Sequence, residues 1–335
     1  MTIRDVARVA DVHISTVSRA LDPRKRDLLA DATLARVLAA VDELGYRPHL
    51  GARGLRRGQT ATIGVVVPDL ANPIFAPFAR GATQSLDGKG YMPLLADTED
   101  DAGRLERILH HLAERRVEAI IMTAARTGDV DLLLEVAEQG IPLVMAIRTV
   151  RDSGLLHVFH DDRLGGRLVA EHLVGLGHRR VGQLKGPLDV EPFLLRAEGF
   201  EAALPDDVEL VDDWEPARWP TVADGHRIAR QVFGSGRSAP TGLFVHNDVL
   251  ALGALEVLRE LGLRCPQDVS IVGYNDAAFA AHTSPALTTV RLGQIELGRR
   301  AGELAIRVID DPDAAQGTES VVPELIVRES TAPPG

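Results

Sequence analysis

Residues 3–21 read IRDVARVADVHISTVSRAL, two short helical patterns joined by a three-residue turn. Thr2 can cap a first helix over residues 3–10, with Asp5 near its N-terminus and Val6, Val9 and Ala10 as its apolar positions. Asp11, Val12 and His13 make the turn, and a second helix is predicted over 14–21. A third fits 31–44, where Leu34, Val37, Leu38 and Val41 fall at i, i+3, i+4 and i+7 and Gly45 is the stop. Two short helices with a tight turn make either a plain hairpin or a helix-turn-helix, whose second helix lies in the DNA major groove. Charge favours the second. The first sixty residues carry 11 Lys and Arg against 7 Asp and Glu, and the remainder carries 26 against 41. A basic head on an acidic body suits a polyanion bound through the head alone. Its basic residues gather at Arg24-Lys25-Arg26, Arg53, Arg56 and Arg57.

Beyond residue 61 the pattern changes. Apolar runs at 63–67, 91–96, 119–123, 142–147, 155–160, 181–185, 243–246 and 269–274 alternate with amphipathic helical stretches. That alternation predicts βαβ units and parallel sheets, and about 270 residues are too many for one sheet. The expected fold is therefore a small all-α head on an α/β core of two doubly wound lobes facing a cleft. A long helix over 296–309 and one strand over 320–328 complete it. The 335 residues are 45% hydrophobic but only 4% aromatic, so the core must be mostly aliphatic. The single cysteine, Cys265, excludes an intrachain disulfide and suits a reducing cytosol. The start has no long apolar run, so neither a signal peptide nor a membrane anchor is expected, which points to the cytoplasm.

Catalytic and cofactor chemistry finds no support. No G-x-G-x-x-G follows a strand and there is no P-loop, so no nucleotide cofactor is expected. His110-His111 with Glu114 lacks zinc-protease spacing and reads as a solvated helix face. No nucleophile–base pair or metal-ligand spacing argues for an enzyme. In open α/β sheets the ligand crevice lies at the carboxyl ends of the strands. Asp69, Asn72 and Phe75 follow the first strand, Arg148 the fourth, and Asn247 and Asn275 two later ones, while Arg196 opens an LLRAEGF segment. Carboxylate, amide, guanidinium and aromatic groups together suit a polyhydroxylated ligand. Trp214 or Trp219 could add an aromatic wall, with Trp219 favoured by its distance to Gly225.

The motifs go further. The opening stretch, then VLAAVDELGYRPHLGARGLRRGQTATIGVVVPDLANPIF, DDRLGGRLVAEHLVGLGHRRV, FVHNDVLALGALEVLRELGL, CPQDVSIVGYND and SPALTTVRLGQIELGRRA, run in order from residue 2 to about 329. The chain thus resembles the lactose/galactose repressor family of bacterial transcription regulators. The resemblance implies a DNA-reading head (1–46), a hinge helix (47–60) and a core (61–335) like that of periplasmic sugar-binding proteins. It places one lobe at about 61–160 plus 291–320 and the other at 161–290 plus 321–330. His13, Ile14, Ser15 and Arg19 would lie in the major groove, Thr16 and Ser18 on phosphate, and Thr2 and Tyr46 near the backbone. Leu55 would wedge into the minor groove and bend the site. Asp69, Asn72, Phe75, Arg148, Arg196, Trp219, Asn247 and Asn275 become the effector contacts. The implied partners are a pseudo-palindromic operator, a second copy of the chain and a sugar-like effector, in a repressor without a cofactor.

Departures from the family pattern carry their own expectations. Asp11 replaces a turn glycine, and His13 replaces a serine, which should remove a good N-cap. Gly51 and Gly54 inside the hinge should each cost about 1 kcal/mol of helix stability, predicting a hinge disordered without DNA. Asn275, Ile147 and Leu292 stand where the family has other residues, so no known effector transfers directly. A mono- or small oligosaccharide or a nucleoside is expected. The rivals are a transport-type sugar-binding protein and an α/β enzyme using the cleft.

Overall fold

The computed structural model describes residues 1–21, 23–46, 60–150, 153–234, 239–311 and 318–335. The expectations for the hinge and for Leu55 lie outside the described residues. The chain divides into two compact units, Met1–Thr60 and Ala61–Gly335.

The smaller unit is helical, with α1 (Ile3–Val9), α2 (Ile14–Ala20), a 3₁₀ turn over Pro23–Leu28 and α3 (Asp31–Glu43). Val6, Ala7, Ala10, Val17, Ala20, Val37 and Ala40 form its buried core, so all three helices present their small apolar stripe inward. Asp5 folds back on the start of α1 and accepts hydrogen bonds from the backbone N–H and hydroxyl of Thr2, both at 2.9 Å. Asp11 takes the left-handed conformation of the turn, with φ 49°. A short Asx side chain tolerates that region better than most residues.

The larger unit holds two six-stranded sheets. Strands of the first are β1 (Thr62–Val67), β2 (Met92–Asp97), β3 (Ala119–Met122), β4 (Leu143–Ala146), β5 (Leu156–His160) and β11 (Thr318–Val321), in the order β11-β5-β4-β3-β1-β2. The second contains β6 (Arg180–Leu184), β7 (Glu209–Val211), β8 (Gly242–Val245), β9 (Ser270–Asn275), β10 (Thr288–Arg291) and β12 (Glu324–Ile326), in the order β12-β10-β9-β8-β6-β7. Every pairing is parallel except β10 with β12. Helices α4 (Phe75–Asp87), α5 (Ala102–Glu114) and α6 (Val130–Glu138) serve the first sheet. Four more, α7 (Asp162–Gly175), α8 (Glu191–Glu201), α9 (Val222–Gly234) and α10 (Asp248–Glu260), serve the second. The last, α11 (Gln294–Asp310), follows β10 of the second sheet but packs on α4 beside the first. That crossing is close: a Cβ added to Gly298 would lie 2.1 Å from the Phe78 carbonyl oxygen. Among the described residues no helix is long and apolar enough to cross a membrane.

The chain changes sheets three times, after β5, after β10 and after β11. The last change corrects the sequence expectation. The stretch 320–328 is not one strand, because β11 ends at Val321 and β12 begins at Glu324 on the other sheet. Pro323 between them cannot donate to a ladder, which makes it a natural break. β7, β10 and α8 carried no strand or helix expectation. β7 has only three residues, and β10 is short and Thr-rich. Its buried Thr289 hydroxyl donates to Asp248 at 2.7 Å.

Candidate functional sites

In the larger unit the carboxyl ends of parallel strands carry the candidate cleft residues. On the first lobe, Asp69 Oδ1 accepts from the Ala71 N–H at 2.8 Å and Asn72 Oδ1 from the Ile74 N–H at 3.3 Å. Both side chains thus shape the loop after β1. Phe75 is 2% exposed and belongs to the lobe's core. Arg148, after β4, is fixed by a partner that sequence reasoning missed. Asp100 receives both its terminal nitrogens, at 2.6 and 3.1 Å, and also two bonds from Arg126 at 3.3 and 2.9 Å. Burial alone would raise the Asp100 carboxyl, but Arg148 and Arg126 outweigh it and hold it below the usual carboxylate range.

On the second lobe, Arg196 from α8 is 3% exposed. Its Nε donates to Asp162 at 2.8 Å and its Nη1 to the His246 carbonyl at 2.7 Å. The guanidinium carbon lies 3.9 Å from the ring centre of Tyr274 and 4.9 Å from that of Phe193. Gly166 on α7 permits this, since a Cβ there would meet the Arg196 carbonyl oxygen at 2.1 Å. Asn247 caps α10, its side chain accepting from the Val249 N–H at 2.7 Å. Asp248 is buried, accepts from Thr289 and from the Ala277 N–H, each at 2.7 Å, and burial pushes its carboxyl up to about 7. Trp219 stands apart from Arg196 and Asn275, half exposed, with the Arg126 guanidinium 5.0 Å from its ring centre.

Among the described residues six buried side-chain atoms have no hydrogen-bond partner: Nε2 of His160, Nδ1 of His246, the Tyr274 hydroxyl, Oδ1 of Asn275 and both amide atoms of Gln294. His160 closes β5, Asn275 closes β9 and Gln294 opens α11. Each of these three sits beside a change of sheet or at a strand end, and Asn275 also holds φ 110°, a strained value for a residue with a Cβ. An unsatisfied buried polar atom costs about 1–3 kcal/mol. Sequence reasoning singled out Asn275 but not His160 or Gln294. The signal for His160 was a polar residue closing the apolar run LHVFH.

His160 also gives a pH prediction. Burial, with Arg196 adding to it, pushes its pKa down to about 3, so the folded protein keeps it neutral where the unfolded chain takes a proton near 6.5. Stability from this group is complete above about pH 6.5 and is lost as pH falls towards 3, by about 2 kcal/mol between pH 7 and 5. Asp248 acts with the opposite sign over the same interval. The test is therefore the difference between wild type and His160→Asn in urea unfolding at the two pH values. A difference independent of pH would refute it.

On the smaller unit, the structure overturns the expectation of a missing cap on α2. His13 is itself the N-cap: its Nδ1 accepts from the Ser15 N–H at 3.2 Å and lies 2.8 Å from the Ser15 hydroxyl. Nδ1 is bonded to Cγ as an asparagine Oδ1 is, so the ring closes the same turn that a short capping residue would. His13, Ser15 and Arg19 are exposed, Thr16 and Ser18 half-buried, and half-buried Ile14 and Tyr46 pack against the head core. Arg26 donates to the Ala20 carbonyl at 3.0 Å, which ties the basic turn to the end of α2. His13→Ala should cost about 1 kcal/mol, read as a roughly fivefold loss of hydrogen-exchange protection in α2, and His13→Asn should restore it. Equal protection in the alanine variant would mean that the cap contributes nothing.

Comparison with known proteins agrees with this layout. Residues 2–49 match the family model for bacterial regulatory proteins, lacI family, and residues 170–331 that for a periplasmic binding protein-like domain. The ribose operon repressor of Escherichia coli (strain K12) is 33% identical over 336 residues, covering 98% of this chain and 99% of that protein. The structure of the lac repressor dimer bound to operator and the anti-inducer ONPF matches with a TM-score of 0.87 at 26% identity, covering 99% of both chains. A LacI family transcriptional regulator from Enterococcus faecium with bound ribose matches with a TM-score of 0.70 at 29% identity, over 81% of this chain and 99% of its own.

Proposed function

The chain belongs to the lacI family of bacterial regulatory proteins, and from that premise we propose that it is a repressor reading a pseudo-palindromic operator as a homodimer, under control of a sugar-like effector in its cleft. His13, Ile14, Ser15 and Arg19 meet base edges, Thr16 and Ser18 take phosphates, and Thr2 and Tyr46 lie near the DNA backbone. Leu55, outside the described residues, is the proposed minor-groove wedge. The exposure of His13, Ser15 and Arg19 along one short helix supports this assignment.

For the cleft, the carrying observation is the buried, unpartnered atoms at or beside strand ends: Nε2 of His160, Oδ1 of Asn275 and the amide of Gln294, with the Tyr274 hydroxyl and His246 Nδ1. The nearby guanidinium groups already face carboxylates: Arg148 with Asp100, Arg196 with Asp162, Arg126 with Asp100 and Asp189. Neutral donors and acceptors are what remains to be satisfied, and hydroxyl groups of a neutral polyol match them. Asp69, Asn72, Phe75 and Arg148 shape the first wall, Arg196, Asn247 and Asn275 the second, with Trp219 at the mouth. A homodimer is supported by edge strand β2, which leaves Met92 65% and Leu95 45% exposed. An uncovered apolar edge is a liability that a second copy removes. Ligand binding shifts lobe arrangement, and so operator affinity, only through its differential affinity for the two states.

Binding selection from genome fragments tests this reading, at about 150 mM salt so that non-specific phosphate binding is weakened. An enriched inverted repeat near a promoter is the expected result. No enrichment, either alone or with a metabolite extract added, would overturn it.

A further inference from the structure

Arg126 contacts Asp100 on the first lobe and both Asp189 and Trp219 on the second, in a crossing also made by the buried Thr149 hydroxyl with Glu191. Arg126 follows β3 of the first lobe, and its backbone N–H is fixed by Asp129 at 2.8 Å. On its own lobe the guanidinium makes two bonds to Asp100, which is almost buried. Across the cleft its Nη1 donates to Asp189 at 2.5 Å, in the loop between β6 and α8, and its plane lies over Trp219. The Thr127 N–H joins the same crossing by donating to the Asp189 carbonyl at 3.0 Å. Trp219 is itself set in place: Asp224 accepts from the N–H groups of both Arg218 and Trp219, each at 2.8 Å.

The two ends of this bridge are unequal. Toward Asp100 there are two bonds in a nearly dry setting, and Asp100 is further anchored by Arg148. Toward the second lobe there is one bond to a carboxylate 53% exposed and one stacking contact on a half-exposed ring. A cavity of about 810 Å³, lined in part by Arg126, Leu188, Asp189, Trp219 and Arg227, adjoins that end. Breaking the crossing there leaves each group access to water, whereas breaking it at Asp100 would strand a buried charge. The second lobe is therefore the end that lets go.

We propose that Arg126 is a latch: carried on the first lobe by Asp100, it closes onto Asp189 and Trp219 and holds the cleft shut before any effector binds. The inference rests on the reading of this cleft as the effector site only for its consequence, that effector must enter through a closed gate.

The test uses the full-length chain with Cys265→Ser and spin labels at Glu106→Cys on the first lobe and Glu256→Cys on the second. Inter-label distances are measured without ligand. Wild type should give one short population. Arg126→Gln and Asp189→Asn should each raise the ratio of long to short distances by about tenfold, the scale of one charge-assisted hydrogen bond. Arg126→Lys should fall between, keeping charge but losing the planar stack. Because Asp189 is exposed, Asp189→Asn remains a fair test if Arg126→Gln fails to fold. Identical distance distributions in wild type and Asp189→Asn overturn the latch. Operator selection by the wild type is read separately. Failure there with opening in the variants would sink the regulatory reading and leave the latch standing.

Discussion

Arg196→Ala is expected to destabilise the second lobe by about 3–5 kcal/mol, because it strands a carboxylate inside the protein. Asp162 is 3% exposed, and Arg196 is the partner that donates to it at 2.8 Å. Burial already raises the Asp162 carboxyl, with Arg196 opposing that rise. Without the guanidinium, Asp162 takes up a proton, which holds the loss towards the lower end of that range. The His246 carbonyl and the faces of Tyr274 and Phe193 also lose their partner. Removing both charges, in Asp162→Asn with Arg196→Met, should recover a large part of the loss, since a buried pair can be replaced by neutral groups of similar volume. Urea unfolding of the three variants measures this. A loss below about 1 kcal/mol in Arg196→Ala would mean that the pair is not closed as described. The same coupling warns against reading a lost effector response in that variant as a lost ligand contact.

Arg19→Ala should remove operator preference while leaving both units folded. Arg19 is exposed near the end of α2 and takes no part in the head core of Val6, Val17, Ala20 and Val37. An arginine paired with the O6 and N7 atoms of guanine contributes about 1–3 kcal/mol of discrimination, and a two-fold complex contains the pair twice. The ratio of affinities for the selected repeat and a scrambled duplex should therefore fall by about 30-fold or more. Non-specific binding at low salt should survive, because the proposed phosphate contacts of Thr16 and Ser18 are untouched by the substitution. Equal ratios for wild type and variant would take Arg19 off the base edge.

Much was legible in the chain because it is local. The stripe Leu34, Val37, Leu38, Val41 fixes one face of α3 whatever packs against it, and the apolar runs before Asp69, Arg148 and Asn247 place those residues at strand ends. Side-chain periodicity is a property of neighbouring residues, so it survives without knowledge of the fold. Alternation of strand and helix likewise dictates parallel sheets, since a parallel strand needs a crossover to return.

Tertiary structure decided the rest. That β11 and β12 lie on different sheets depends on which distant strands, β5 and β10, offer an edge. Arg148 meets Asp100, Arg196 meets Asp162 and Arg126 reaches Asp189 and Trp219 across 34 to 93 residues of chain, and no local pattern pairs them. The capping His13 is the local exception, read wrongly by residue type and rightly only from the position of its ring nitrogen. Sequence by itself determined most of the helices and strands, though not β7, β10, α8 or the break between β11 and β12, and where polar residues interrupt them. Only the folded chain decided which of those polar groups would find partners and which, like Nε2 of His160, Oδ1 of Asn275 and the amide of Gln294, would be buried without one. Burial and pairing depend on what the rest of the chain brings alongside, and that is set by packing in three dimensions.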